Sequence, residues 1–257
     1  MADRSAIEWT DATWNPVTGC SRVSPGCAHC YALTFAERFR GVPGHHFEQG
    51  FDLRLWPERL EMPLKWKRPR RIFVNSMSDL FHEMIPDAFI RQIFEVMVQA
   101  DWHIFQVLTK RSQRLADLGP KLPWPEHVWA GVSIENHRWA CRADHLRQVP
   151  ARVRFISAEP LLGSLERVDL TGIHWLITGG ESGTKHRPVD PNWVRILRDR
   201  CVRERVAFFH KQWGGRYAKA GGRMLDGRTW DEMPALPPSN AQATTEPVRP
   251  AFQPAFT

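Results

Sequence analysis

Apolar, β-branched and aromatic residues gather along the chain in short runs, separated by longer stretches with helical spacing. The clearest runs cover residues 72–76, 104–108, 128–132, 153–157, 175–178 and 206–209. Runs of this length bounded by polar residues predict buried strands. An earlier run near residues 7–14 brings the expected number to about seven. Between them, residues 87–101 and 192–205 repeat apolar positions at the period of a helix. Each helix is expected to begin at Asp87 or Asn192 as its cap, with Pro86 or Pro191 just upstream. Strands alternating with helices predict a parallel sheet. With about seven strands the expected fold is α/β, a partial or complete (β/α) barrel of the TIM type. A doubly wound sheet is the alternative, disfavoured because no glycine-rich fingerprint follows the first strand.

Polar residues cluster directly after the predicted strands. The clusters are Ser76-Met-Ser-Asp79, Thr109-Lys-Arg111, Ser133-Ile-Glu135, Ser157-Ala-Glu159, Gly179-Gly-Glu-Ser182 and His210-Lys-Gln212. In a parallel barrel all these ends open on one face, where active sites are built. Any single cluster is explained by capping of the next helix; together they predict one site. Glu135, Glu159 and Glu181 are candidates for an acidic catalytic ring on that face. Pairing with Lys110, Lys185 or Lys211 is the structural alternative for the same three residues. The barrel is expected over residues 1–213, with an irregular excursion at 40–71 that would serve as a lid or a substrate-facing loop. Residues 214–257 form a C-terminal extension, rich in proline and small polar residues and expected to be disordered from about residue 234.

At 257 residues, with 42% hydrophobic and 25% charged residues, the chain suits one large domain. A net charge of +7 makes a polyanion such as DNA or RNA a candidate partner, although a basic solvated surface has the same composition. Lys65, Lys67 and Arg68, interleaved with Trp66, are candidate substrate contacts, as are Lys211 and Gln212. No signal segment and no apolar run of about 18 residues is present, so the expected setting is cytoplasmic, with no membrane partner.

That setting gives the cysteines their meaning. Of five, Cys20, Cys27 and Cys30 fall within one short stretch, while Cys141 and Cys201 are isolated. Clustered thiols in a reducing compartment point to metal binding or catalysis. A structural zinc site closes with four protein ligands, and His29, His45, His46 or His82 could supply the fourth. A four-iron cluster held by three thiolates, with one iron open, is the other reading. Elsewhere, Gly179-Gly-Glu-Ser-Gly-Thr-Lys-His186 fits neither a nucleophile elbow nor a Walker A loop, because it lacks the glycine that each needs.

A strand followed by a three-cysteine loop in a parallel barrel resembles the radical S-adenosylmethionine (SAM) superfamily. The common spacing there is CxxxCxxC with an aromatic residue before the last cysteine. This chain has CxxxxxxCxxC, with His29 in the aromatic position and Tyr31 after it. Ser76-Met-Ser-Asp-Leu-Phe81 resembles the second-strand motif of spore photoproduct lyases and their relatives. Leu108-Thr-Lys110 is similar to their third-strand motif, and Val132-Ser-Ile-Glu135 to their fourth. The Trp-Asn-Pro-Val-Thr-Gly-Cys20 and His210-Lys-Gln-Trp-Gly-Gly215 segments resemble a phage-associated radical-SAM-like family. The resemblance implies a four-iron, four-sulfur cluster on Cys20, Cys27 and Cys30. S-adenosylmethionine would chelate its open iron, with Lys110 and Ser133 at the carboxylate, His29 near the adenosine, and Ser78 and Asp79 lining the second-strand end. An external one-electron donor would then drive formation of a 5′-deoxyadenosyl radical. The lyases' hydrogen-donating cysteine corresponds to Ser76 here, so identical lyase chemistry is not implied. The lyase likeness and the positive charge favour a nucleic-acid substrate. A zinc-stabilised nucleic-acid-binding module, or a radical enzyme acting on a protein or small metabolite, are the alternatives.

Overall fold

The computed structural model describes residues 5–235. Seven strands form one parallel sheet: β1 (Ala12–Trp14), β4 (Arg71–Val74), β5 (Ile104–Thr109), β6 (Val128–Ser133), β7 (Arg154–Ala158), β8 (Trp175–Gly179) and β9 (Ala207–Gln212). They neighbour one another in chain order, without the reversal of a doubly wound sheet. The edge strands β1 and β9 do not pair with each other, so the barrel is partial. Each predicted strand run contains an observed strand. The first is shorter than expected, because residues 7–9 form a turn rather than part of β1.

Alternation along the strands sorts side chains to two faces. Ile72, Val74, Phe105, Val107, Val128, Ala130, Val132, Ile156, Leu176 and Phe208 point outward into the main core. Helix α2 (Asp87–Gln99) covers part of that face with Phe89, Ile90, Ile93, Phe94 and Met97, the spacing that its sequence period predicts. The opposite parity turns Trp129, Phe155, Trp175, Ile177 and Phe209 inward, where they close around Trp9. Trp9 and Trp175 meet edge to face with centroids 6.0 Å apart. This aromatic plug fills the base of the half-barrel and leaves the strands' C-terminal ends open. Gly131 makes room for it, because the Phe155 ring lies where a Cβ would be.

Helix α5 (Pro191–Glu204) corrects the expected cap. Asp190, not Asn192, occupies the N-cap, and its carboxylate accepts from Asn192 N at 2.8 Å. Pro191 takes the first helical position, where its missing N–H costs nothing. For α2 the N-cap is Pro86, and Asp87 instead pairs with Arg114 from the first turn. The remaining helices are α1 (Tyr31–Glu37), α3 (Ser112–Leu118) and α4 (Cys141–Arg147).

The excursion is ordered. Its two-residue strand β3 (Arg54–Leu55) pairs antiparallel with β2 (Val17–Thr18), fixing it to the segment that leads into the cysteines. Trp56 donates to Thr18 Oγ1 and is stacked by the guanidinium groups of Arg54 and Arg59, 4.0 and 3.8 Å from its ring centre. Residues 214–235 also pack on the barrel: Asp231 bridges to Phe209, and Trp175 Nε1 donates to Glu232 O. The expectation of disorder falls almost wholly on residues outside those described. No described helix is long and apolar enough to cross a membrane.

Between β8 and β9, the Cβ of any residue replacing Gly180 would fall on the Trp213 carbonyl oxygen. Gly180→Ala is therefore expected to destabilise the protein by about 1–3 kcal/mol, the usual cost of overpacking. A denaturant midpoint equal to that of the wild type would contradict this.

Candidate functional site

Beyond β1 the chain descends into a loop held by the β4 end. Asn15 Oδ1 accepts from Met77 N at 2.9 Å, Gly19 N donates to Met77 O at 3.0 Å, and Ser78 Oγ donates to Val17 O. Gly19 adopts φ +85°, and the Asp52 carbonyl stands where a Cβ would be. The loop then carries Cys20, a short turn at Pro25–Cys27, and Cys30 at the start of α1. All three thiols are half-buried and line one cavity of about 420 Å³, an ordinary size for a ligand site.

Every strand from β4 to β9 contributes its C-terminal end to this cavity. Asn75, Ser76, Ser78 and Asp79 follow β4, and Lys110 follows β5. Ser133 ends β6, Ser157 and Glu159 come from β7, Glu181 and Ser182 follow β8, and Lys211 and Gln212 end β9. Of the residues singled out in the sequence, His29 also lines it. Glu135, Lys65, Lys67 and Arg68 do not. Lys65, Lys67 and Arg68 are exposed just before β4, at the N-terminal edge of the sheet, and so stand away from the cavity. Of the excursion, Phe51 alone lines the cavity.

The three glutamates separate in role. Glu135 is fully buried beneath the cysteine loop, where it pairs with Arg142 at 2.9 Å and accepts from Ser24 Oγ. Gly26 packs against its carboxylate. Glu159 pairs with Lys211 inside the cavity. Glu181 takes His29 Nδ1 at 2.8 Å and the Arg187 guanidinium and backbone N–H, while Arg187 also donates to Pro25 O. Arg187 and Glu181 thus lash the cysteine loop to the β8 end. Lys110 and Lys185 are not the partners of these carboxylates.

Burial acts to raise the Glu181 pKa, but the bonds from Arg187 and His29 outweigh it and hold the carboxyl at about 2. A carboxyl lowered on folding stabilises above its ordinary value and loses that contribution as pH falls through the folded value. Wild-type stability is expected to drop between pH 4.5 and about 2 by on the order of 1–2 kcal/mol more than that of Glu181→Gln, after allowance for solvent screening. Parallel pH profiles of unfolding for the two proteins would contradict the assignment.

Asp79 is engaged throughout. It accepts from Thr109 Oγ1 at 2.6 Å, Lys110 N at 2.9 Å and Phe81 N at 3.0 Å, clamping the β4 loop to the β5 end. Gln212 likewise donates to Ser182 Oγ and Gly180 O. These two hold the walls in place.

Arg111 was part of a sequence cluster without an assigned role. Its guanidinium donates to Ser21 Oγ at 2.8 Å and Ser21 O at 3.0 Å, lies 3.7 Å from Cys20 Sγ, and pairs with Glu83. Burial, with the Asp79 charge behind it, pushes the Cys20 thiol up to about 11 against the opposing pull of Arg111. A coordinated metal deprotonates such a thiol outright.

The donor set is one that a thiolate-held metal group needs: Cys20, Cys27 and Cys30 line one cavity, and the Arg111 guanidinium stands beside Cys20 Sγ. Among the described residues, no group of three or more His, Cys, Asp or Glu side chains is gathered around the position of a single ion. Of the four histidines offered as a fourth zinc ligand, His45 stacks on Phe39 and His46 packs tilted against Phe47, and neither lines the cavity. His82 uses both ring nitrogens, on Ser21 Oγ and Met84 N. Among the described residues, His29 is held by Glu181 through Nδ1 alone, which leaves Nε2 as the one ring nitrogen of these two still open to a metal.

Residues 4–234 match the family described as "Protein of unknown function (DUF5131)". The chain belongs to that family. Two solved structures are similar to it at 15% identity and a TM-score of 0.43. One is spore photoproduct lyase complexed with dinucleoside spore photoproduct, covering 72% of this chain and 59% of that one. The other is a spore photoproduct lyase mutant with bound AdoMet and dinucleoside spore photoproduct, at 73% and 60%. The chain therefore spans about three-fifths of their length. No curated protein is significantly similar to it.

Proposed function

We propose that this half-barrel is a radical S-adenosylmethionine enzyme acting on nucleic acid. The observation that carries the reading is the convergence of Cys20, Cys27 and Cys30 on a cavity lined from six successive strand ends. Three thiolates leave one iron of a four-iron cluster without a protein ligand, which suits a chelating cofactor. Such a cluster, when bound and reduced, would supply the electron for reductive cleavage of S-adenosylmethionine.

This chain's residues do the rest. Lys110 and Ser133, which both line the cavity, would hold the cofactor's carboxylate with a cation and a hydroxyl. His29, fixed by Glu181 and adjacent to Cys30 in the chain, would lie near the cofactor's adenosine. Ser78 and Asp79 shape the β4 end, with Asp79 acting through the Lys110 backbone it holds. The aromatic plug keeps water from entering through the base of the barrel. Glu159 and Lys211, paired inside the cavity, can hold or exchange a proton with a bound substrate. The electron comes from an external one-electron donor, in a reducing compartment such as the cytoplasm. The net charge of +7 supports a polyanionic substrate. Ser76, where the lyases carry a hydrogen-donating cysteine, favours a different fate for the substrate radical.

Anaerobic incubation with S-adenosylmethionine and dithionite tests the reading. 5′-Deoxyadenosine is the expected product, with salt-sensitive binding of single-stranded oligonucleotides. No cleavage by iron-replete protein would overturn the enzyme reading. Cleavage without oligonucleotide affinity would move the substrate to a protein or small metabolite.

A further inference from the structure

Below the cysteines, on the inner wall of the same cavity, Asn75 has features that neither the cluster nor the cofactor contacts use. It sits one residue past β4 at φ +60°, with 1% of its surface exposed. Among the described residues, its side-chain Nδ2 and Oδ1 are both buried without a hydrogen-bond partner. Asparagine is the commonest non-glycine residue in this backbone region, which accounts for a short polar residue here. It does not account for a donor and an acceptor left unpaired just beneath the wall of a cavity that the residue lines, where a small side-chain rotation brings them to its surface, since leaving buried polar groups unsatisfied costs stability.

The surroundings define what could satisfy them. Trp9 and Phe73 line the same cavity, with ring centroids 4.8 Å apart and planes tilted by 53°. Trp9 Nε1 is a further buried donor without a partner among the described residues. Ser157 and the Glu159–Lys211 pair complete the wall. An amide that gives one hydrogen bond and takes another, next to aromatic faces, is complementary to a flat heterocycle with adjacent acceptor and donor on one edge. Nucleobases have such edges, and asparagine pairs with adenine in this bidentate way.

We propose that Asn75 reads the edge of a substrate base inserted into the cavity beside Trp9 and Phe73, making it a specificity-determining residue. This rests on the nucleic-acid reading above and deepens it. A base reaches such a depth only from a single strand or after leaving its helix, so the substrate is single-stranded or has its target base extruded. The adenine of S-adenosylmethionine has the same edge chemistry and is the other possible source.

The test uses full-length protein and single-stranded decanucleotides of dA, dC, dG or dT at fixed salt, with Trp fluorescence as the readout. Wild type is expected to prefer one base by on the order of 10–100-fold, the discrimination of a good bidentate contact. Asn75→Gly keeps the positive φ and removes the amide. It is expected to bind all four oligonucleotides alike, with the salt-dependent backbone affinity retained. Asn75→Asp, which keeps an acceptor but loses the donor, is expected to shift the preference. The same midpoint of denaturant unfolding in Asn75→Gly and wild type shows that the loss is not one of fold.

The assignment is overturned by wild type without a base preference, or by Asn75→Gly retaining it. Loss of S-adenosylmethionine affinity in Asn75→Gly with the base preference intact also overturns it, by assigning the amide to the cofactor's adenine. Iron content of the same preparations reads the radical reading separately: base preference without iron keeps the Asn75 assignment and removes the radical enzyme.

Discussion

Methionine in place of Arg142 is expected to destabilise the protein by about 3–5 kcal/mol, the cost of removing one partner of a buried ion pair. The Arg142 and Glu135 side chains are 2% and 0% exposed. Burial lowers the guanidinium's pKa while Glu135 opposes the shift, so the two charges depend on each other. Arg142 also donates to Ser133 O at 2.7 Å and lies 4.2 Å from the centre of the Trp139 ring. Methionine fills most of that volume, which leaves the unpaired carboxylate as the main cost. Adding Glu135→Gln removes the stranded charge and should recover most of the loss. The consequence extends upward, because Glu135 holds Ser24 and packs beneath Gly26 in the cysteine loop. The single variant is therefore expected to retain less metal than the double. Denaturant unfolding of both checks the account, and equal destabilisation of single and double variants would contradict it.

Alanine at Cys20, Cys27 or Cys30 is expected to lower 5′-deoxyadenosine formation by well over about 100-fold, since changes even to groups around metal ligands cost 10–100-fold. The three are not interchangeable with the chain's other thiols. Cys201 is buried in the core side of α5, and Cys141 starts α4 outside the cavity. Burial pushes the Cys201 thiol up to about 12, as befits a small core residue. Alanine at Cys141 is accordingly expected to leave product formation near the wild-type rate. Anaerobic single-turnover assays of the four variants make the comparison. Equal losses at Cys141 and Cys27 would break the link between this loop and the chemistry.

Where the pattern is long and periodic, the sequence is transparent. The seven parallel strands announce themselves because both faces of each are covered, the outer by helices and the inner by the Trp9 plug, giving continuous apolar runs. The polar clusters were visible because parallel connectivity puts every C-terminal end on one face. The pairing of β2 with β3 was not, since two-residue strands have no period to read. Caps were misplaced by two residues at α5, where Pro191 rather than Asn192 begins the helix. The basic run at residues 65–71 looked like a substrate contact because charge and an aromatic residue coincide in sequence. Its place at the N-terminal edge of the sheet depends on where β4 begins, which a local reading does not give.

The roles of Arg187 and Arg142 had no signal at all. Each lies close in sequence to its glutamate, Arg187 six residues after Glu181 and Arg142 seven after Glu135, but the turn between them is irregular, and arginine is too common in this chain to stand out. Asn75 was legible only as part of a strand run. Its distinguishing property, an unpaired amide beneath the wall of a cavity, exists only in the folded chain.

The claim on which the functional account stands is that three thiols hold iron and sulfide. Iron, sulfide and zinc content of anaerobically purified protein, beside a Cys20/Cys27/Cys30 triple-alanine variant, tests it most directly. The account predicts about four irons and four sulfides per chain, absent from the variant. About one zinc and no iron after anaerobic reconstitution would contradict it and leave a metal-stapled barrel without radical chemistry.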